Sequence, residues 1–332
     1  MSEFRQNLVN KEWVIISTER AKRPDKFVKK AGAKQKLVFD PSCPFCPGNE
    51  SQTPKEVFQI SRNSQWSLRV VPNKFAAVDP ETSPDRVREG RYRKFGGFGF
   101  AEVVIETPSH NQTIGTMSLA EVQDVVYAYR ERYLAFAADT RLDLITIFRN
   151  HGQQAGTSLE HPHSQIIATP LVPLRVRQQI EEARRYCDDN GTCVFCDMLS
   201  EELADGRRVV MENKSFVAFE PYASRSPFDT LIMPKVHQSV FGRISPAEVE
   251  DLAFILKGVL GKLYAGLGDP DYNYVLQSAP REDDNVEYFH WYIRLIPRIT
   301  TPAGFEIGTG IYINIVYPEE AAKFLRETPI PQ

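Results

Sequence analysis

No run of about 18 apolar residues occurs in this 332-residue chain, so nothing in it reads as a membrane-spanning helix. Charge of one sign is also missing: 40 Lys and Arg against 43 Asp and Glu leave −3, with no basic surplus to hold nucleic acid. The opening MSEFRQNLVNKEW lacks an apolar signal region, so the expected compartment is the cytoplasm, where disulfides do not persist. Histidine and cysteine are scarce, at six and five residues. A hydrophobic share of 42% and a charged share of 25% fit a globular protein with ample core for one large domain or two ordinary ones.

Four of the five cysteines fall in two Cys-x-x-Cys pairs, CPFC at 43–46 and CVFC at 193–196, and Cys187 is left as a helix-borne thiol. Runs rich in β-branched and aromatic residues, EWVII, SLRVV, FAEVVIE, LDLITIF and SQIIA, read as strands. SLAE at Ser118 is a capping box with Glu121, opening a helix whose apolar face is Val122, Val125, Val126, Tyr129 and Tyr133. SPAE at Ser245 repeats the device with Glu248 and Pro246, and the face is Val249, Leu252, Ala253, Leu256 and Leu260.

A histidine stands eight residues before each cap, His110 and His237. Each helix is followed by a strand, a loop and a strand carrying a further histidine, His161 or His290, at separations of 51 and 53 residues. The chain is therefore read as a tandem duplication of one unit, with an N-terminal domain at 1–172 and a C-terminal domain at 173–332. The stretch PLVPLRVRQQIEEARRYCDDNG between them reads as a connecting helix ending at Gly191.

Two thiols and two imidazoles per copy make a preferred shell for structural zinc. The assigned sets are Cys43, Cys46, His110 and His161 in the first copy, and Cys193, Cys196, His237 and His290 in the second. The bland alternatives, redox pairs or buried thiols, do not explain why matching histidines accompany both pairs. Aligning HPH at 161–163 with HWY at 290–292 leaves His163 with no counterpart, since Tyr292 takes its place. A surface histidine bonded to a neighbour is the plain reading of such a residue. The broken symmetry favours a nucleophile, because a neutral imidazole can attack phosphorus and form a covalent phosphoramidate. The turn at Gly156, Thr157 and Ser158 just before it can offer donors to an anion.

ERAKRP, CPFCPGNE, VPNKFAA, FRNHGQQAGTSLEHPHSQ and the late FHW together resemble the galactose-1-phosphate uridylyltransferase family, the nucleotidyl-transferring branch of the histidine-triad superfamily, over nearly the whole chain. The resemblance implies an α+β fold of two histidine-triad-like units, mostly antiparallel sheet with helices packed on it. It implies a cytoplasmic homodimer acting on nucleotide sugars and sugar phosphates, without nucleic-acid or membrane partners. His163 would be the nucleophile and His161 a metal ligand, in a ping-pong transfer of UMP from UDP-glucose to galactose 1-phosphate. Gln165 and Ser158 match positions that hold phosphate oxygens. Asn150 and Gly156 match the turn around the nucleotide, Asn73 and Phe75 its base and ribose side, and Arg20 and Arg23 phosphate-binding positions lent across a dimer. Phe305 matches a sugar-binding position, but the family's neighbouring Lys, Tyr and Glu are not evident in AGFEIGTGIYIN, and Lys74 replaces an Asp. GFEIGTG and the complete second Cys₂His₂ set look more like a plant-type relative acting as an ADP-glucose phosphorylase. A zinc-stapled nucleotide-binding protein without activity is the non-enzyme alternative.

Overall fold

Ser118 caps its helix as the pattern requires: the Glu121 amide donates to Ser118 Oγ at 3.3 Å and the Ser118 amide donates to Glu121 Oε2 at 2.8 Å. The helix runs Leu119–Ala137 (α1), and all five residues of its forecast apolar face are buried. Ser245 repeats the reciprocal cap at the head of the 22-residue helix Pro246–Leu267, again with the forecast face buried. The computed structural model describes residues 2–17, 27 and 37–331. Among the described residues the other α-helices are Leu174–Asn190 (α2), Val194–Asp205 (α3), Gly304–Thr309 (α5) and Pro318–Glu327 (α6), so Pro246–Leu267 is α4. α2 ends on Gly191 in the left-handed region, whose amide donates to the Cys187 carbonyl.

Ten strands form the main sheet. Those of the first half are Phe58–Arg62 (β3), Gln65–Pro72 (β4), Phe100–Ile105 (β7), Leu144–His151 (β8) and His163–Thr169 (β9). Those of the second are Val209–Glu212 (β10), Phe216–Phe219 (β11), Thr230–Pro234 (β12), Tyr272–Gln277 (β13) and Tyr292–Pro297 (β14). A small sheet holds Glu3–Gln6 (β1), Trp13–Ile16 (β2) and Tyr312–Asn314 (β15), and Arg86–Glu89 (β5) pairs with Tyr92–Phe95 (β6) as a separate ribbon.

The order across the main sheet is β10-β11-β12-β14-β13-β8-β9-β7-β4-β3, with every neighbouring pair antiparallel. Outward from the β13–β8 seam each half reads the same way: β8, β9, β7, β4, β3 and β13, β14, β12, β11, β10. The duplication seen in the motifs is thus a duplication of topology, and equivalent strands meet at the join. α1 and α4 pack on each other over one face. Gly115 lets the chain before α1 lie against α4, because a Cβ there would meet the Leu260 carbonyl oxygen at 2.8 Å. The fold is mixed α+β, and no helix among the described residues is long and apolar enough to cross a membrane.

Candidate active site and metal sites

Pairing across the sheet decides which side chains share a face. Ile105 of β7 lies opposite His163, and Val103 opposite Gln165, which in turn faces Phe148 of β8. His163 and Gln165 therefore point to the face opposite α1, while Ser164 between them points toward α1. There Ser164 Oγ accepts from Tyr129 at 2.6 Å, so the sequence neighbour of the nucleophile candidate is structural.

On the open face lies a cavity of about 580 Å³ lined by His163, Gln165, Ser158, Asn73 and Phe75. Phe45 of the Cys-x-x-Cys turn forms part of its wall and packs edge-on against both His161 and His163, at 6.0 and 5.5 Å between ring centres. Asn73 Oδ1 accepts from the Phe75 amide at 3.0 Å and so shapes the rim, where Phe75 stands 87% exposed. The Gln165 and Ser158 side chains make no hydrogen bond to any described residue, which leaves their donors free toward the cavity.

His163 is buried and begins β9. Its Nδ1 donates to the His161 carbonyl at 2.8 Å, which fixes the tautomer and leaves the Nε2 lone pair free. Burial holds its pKa below the ordinary histidine value, so the ring is neutral. His161 precedes the strand rather than lying on it, a correction to the reading of a strand that carries it. The proline between them turns the chain, and the Glu106 amide holds the Pro162 carbonyl at 3.1 Å.

The metal-ligand candidates of the first copy meet. Donor atoms of Cys43, Cys46, His110 and His161 all lie within 4.8 Å of one another, and all four residues are buried. Cys46 Sγ is 3.4 Å from His110 Nδ1 and 3.6 Å from His161 Nδ1. A tetrahedron with metal–sulfur and metal–nitrogen bonds of about 2.3 and 2.05 Å has S···N edges of about 3.5 Å, so this donor set fits such an ion. His161 Nε2 donates to the Thr107 carbonyl at 2.8 Å, orienting Nδ1 toward the cysteine sulfurs, and burial lowers its pKa to about 4.

In the second copy Cys193, Cys196 and His237 come together, with Cys196 Sγ 3.3 Å from His237 Nδ1. His290 does not join them as expected. Its ring sits 5.4 Å from that of His237, but Nδ1 is turned to the Trp291 carbonyl at 3.0 Å. His290 Nε2 is buried without a hydrogen-bond partner among the described residues. Leaving such a group unmatched costs about 1–3 kcal/mol.

Other expected positions are not brought to the cavity. Asn150 lies across the seam from Asn273 and accepts from it at 2.7 Å, and Gly156 is an exposed left-handed residue closing a turn. Phe305 is on α5, 47% exposed, and is not among the residues that line the His163 cavity. Arg20 and Arg23 lie outside the described residues. Sequence reasoning missed Glu106, Arg149 and Tyr272. Both Glu106 oxygens accept from Arg149 Nε at 3.0 Å, and Arg149 Nη1 donates to Tyr272 at 2.7 Å, all three buried beneath the strands that present the two histidines. An Arg inside the FRNHG run was the available signal, but its partner is 43 residues away.

The galactose-1-phosphate uridyl transferase N-terminal domain profile matches residues 1–173, and the C-terminal domain profile residues 179–329. The chain belongs to the galactose-1-phosphate uridyl transferase family. This is a family of nucleotidyltransferases. Within it, the chain is 36% identical to the ADP-glucose phosphorylase of Arabidopsis thaliana, over 99% of this chain and 93% of that one. It is 31% identical to the galactose-1-phosphate uridylyltransferase of Thermotoga maritima, over 99% of each. Among solved structures, the Arabidopsis ADP-glucose phosphorylase with bound ADP-glucose superposes with a TM-score of 0.85 at 33% identity, covering both chains fully.

Proposed function

We propose that the chain moves UMP from UDP-glucose to galactose 1-phosphate through a covalent uridylyl-His163. The observation that carries this is the free Nε2 of a neutral, buried imidazole whose other nitrogen is committed to the His161 carbonyl. Nε2 attacks the α-phosphorus, the bond to the β-phosphate oxygen breaks, and glucose 1-phosphate leaves with that electron pair. The ring becomes cationic while Nδ1–H stays bonded to the carbonyl, which stabilises the charge. A phosphate oxygen of galactose 1-phosphate then attacks the same phosphorus and returns His163 to its neutral form. Gln165 and Ser158 supply donors to oxygens that gain charge, and Asn73 with Phe75 receive the base and ribose.

The cysteine and histidine clusters would each hold a structural zinc, which fixes the Cys-x-x-Cys turn and, through His161, the start of β9. All five cysteines are free thiols, which suits a reducing cytoplasm. Phe305, Arg20 and Arg23 would serve the site of a second copy in a homodimer, with Asn150 and Gly156 framing the turn behind the nucleotide. The division into units at residue 172 follows the topological repeat.

A second reading, phosphorolysis of ADP-glucose by the same histidine, is favoured by the 36% identity to the Arabidopsis enzyme of that name and by Lys74 in place of an Asp. Incubation with α-³²P-labelled UDP-glucose and ADP-glucose, followed by galactose 1-phosphate or inorganic phosphate, separates the readings. UDP-galactose as product supports uridylyl transfer, and nucleoside diphosphate formed from phosphate supports phosphorolysis. Absence of acid-labile label on the protein with both donors would overturn both.

A further inference from the structure

The second half of the duplication has lost the nucleophile but has kept a cavity. One row of paired residues runs from Gln165 through Phe148 and Val275 to Arg294, so β13 and β14 continue the open face of the sheet past the seam. On that face lies a second cavity of about 450 Å³. β9 opens with His163 and has Gln165 two residues on, and β14 opens with Tyr292 and has Arg294 two residues on. Tyr292 thus stands in the nucleophile's place and Arg294 in that of the phosphate-facing amide.

Neither residue can repeat the transfer. The Tyr292 hydroxyl exchanges hydrogen bonds with the Gln179 amide at 2.9 and 3.3 Å, and burial pushes its pKa up, so it remains a protonated phenol. Arg294 Nε donates to the fully buried Asp229 at 2.8 Å. What the cavity does offer is unspent binding capacity. Gln277 on its floor and Arg175 on α2 make no side-chain hydrogen bond or ion pair to any described residue. Among the described residues every other charge lining the cavity is balanced: Arg225 by Glu12, Arg294 by Asp229, and Glu182 by Arg185. One spare guanidinium therefore faces a pocket of amides and a phenol above the apolar patch of Val275 and Ile296. A guanidinium fits phosphate oxygens, amides fit hydroxyls, and the volume lies within the range of small-ligand sites.

We propose that this cavity is a second ligand site, binding a hexose monophosphate with no bond made or broken. Its phosphate sits at Arg175 and its hydroxyls face Gln277. Equilibrium dialysis of the metal-loaded full chain with ¹⁴C-glucose 1-phosphate tests this against the variants Arg175→Glu and Arg175→Glu/Gln277→Leu. Arg175 is on the exposed side of α2, so the charge reversal leaves the core intact. Both variants should bind one equivalent per chain fewer than the native protein, with the rate of transfer at His163 unchanged. The result is read as a difference, so it holds even if His163 proves not to be the nucleophile. Equal stoichiometry in native and variant proteins would overturn the proposal, and so would native protein that binds ¹⁴C-glucose as tightly as its 1-phosphate.

Discussion

Replacing Glu106 with Gln removes one charge from a pair whose partner cannot reach water. The Arg149 and Glu106 side chains are 2% and 0% exposed, so solvent does not screen them. In the variant, Arg149 keeps the Tyr272 hydroxyl at 2.7 Å but faces a neutral amide where it had a carboxylate. Removing one member of a buried pair costs about 3–5 kcal/mol, mostly as an uncompensated charge. An unfolding entropy of about 2.1 cal/mol/K per residue over 332 residues comes to about 0.7 kcal/mol/K. The midpoint of thermal unfolding should therefore fall by about 4–7 °C in Glu106→Gln, read by calorimetry on metal-loaded protein. The double variant Glu106→Gln/Arg149→Met removes the stranded cation and should recover most of that loss, since apolar residues often replace buried ion pairs without penalty. A midpoint shift below 1 °C, or a double variant less stable than the single one, would refute this account of the pair.

His163→Asn should abolish covalent labelling while metal content, measured by plasma emission, stays at the native level, because no ligand is lost. His161→Asn should instead lower metal content and thermal stability together, and a fully metallated but inactive His161→Asn would reverse the roles assigned to the two imidazoles. Gln165→Ala should retain labelling at a rate reduced by about two to three orders of magnitude, the usual cost of one transition-state donor, and single-turnover kinetics at saturating donor would show it. Native protein should carry about two equivalents of zinc and His290→Ala about one, since four protein ligands are the rule for structural zinc; unchanged zinc in His290→Ala would mean that the other three residues hold the ion without it.

The capping boxes at Ser118 and Ser245, the faces of α1 and α4 and the strands around each histidine could be read directly from the chain, because each depends on residues within a few positions of one another. The repeat itself also sufficed to group Cys43 and Cys46 with His110 and His161, although these residues come from segments up to 118 residues apart. Comparing the two copies isolated His163, since a difference within a repeat needs no coordinates to be seen.

The tertiary structure decided what depends on register and side-chain direction. Pairing of β8 with β13 sets the seam, and that same pairing brings Tyr272 to Arg149 and closes the buried pair under the histidines. The alternation of β9 sends Ser164 to Tyr129 and Gln165 to the cavity, a division that depends on which face α1 covers. His290 aligns with His161 in sequence, yet its ring turns to the Trp291 carbonyl, because rotation about a side-chain bond leaves no trace in spacing. Phe305 resembles a sugar-binding position by sequence, but on α5 it does not line the His163 cavity. Local pattern thus specified the elements and the ligand types of this protein. Which side chains share a cavity was decided by strand pairings between residues far apart in the chain, whose energies depend on the packed sheet as a whole.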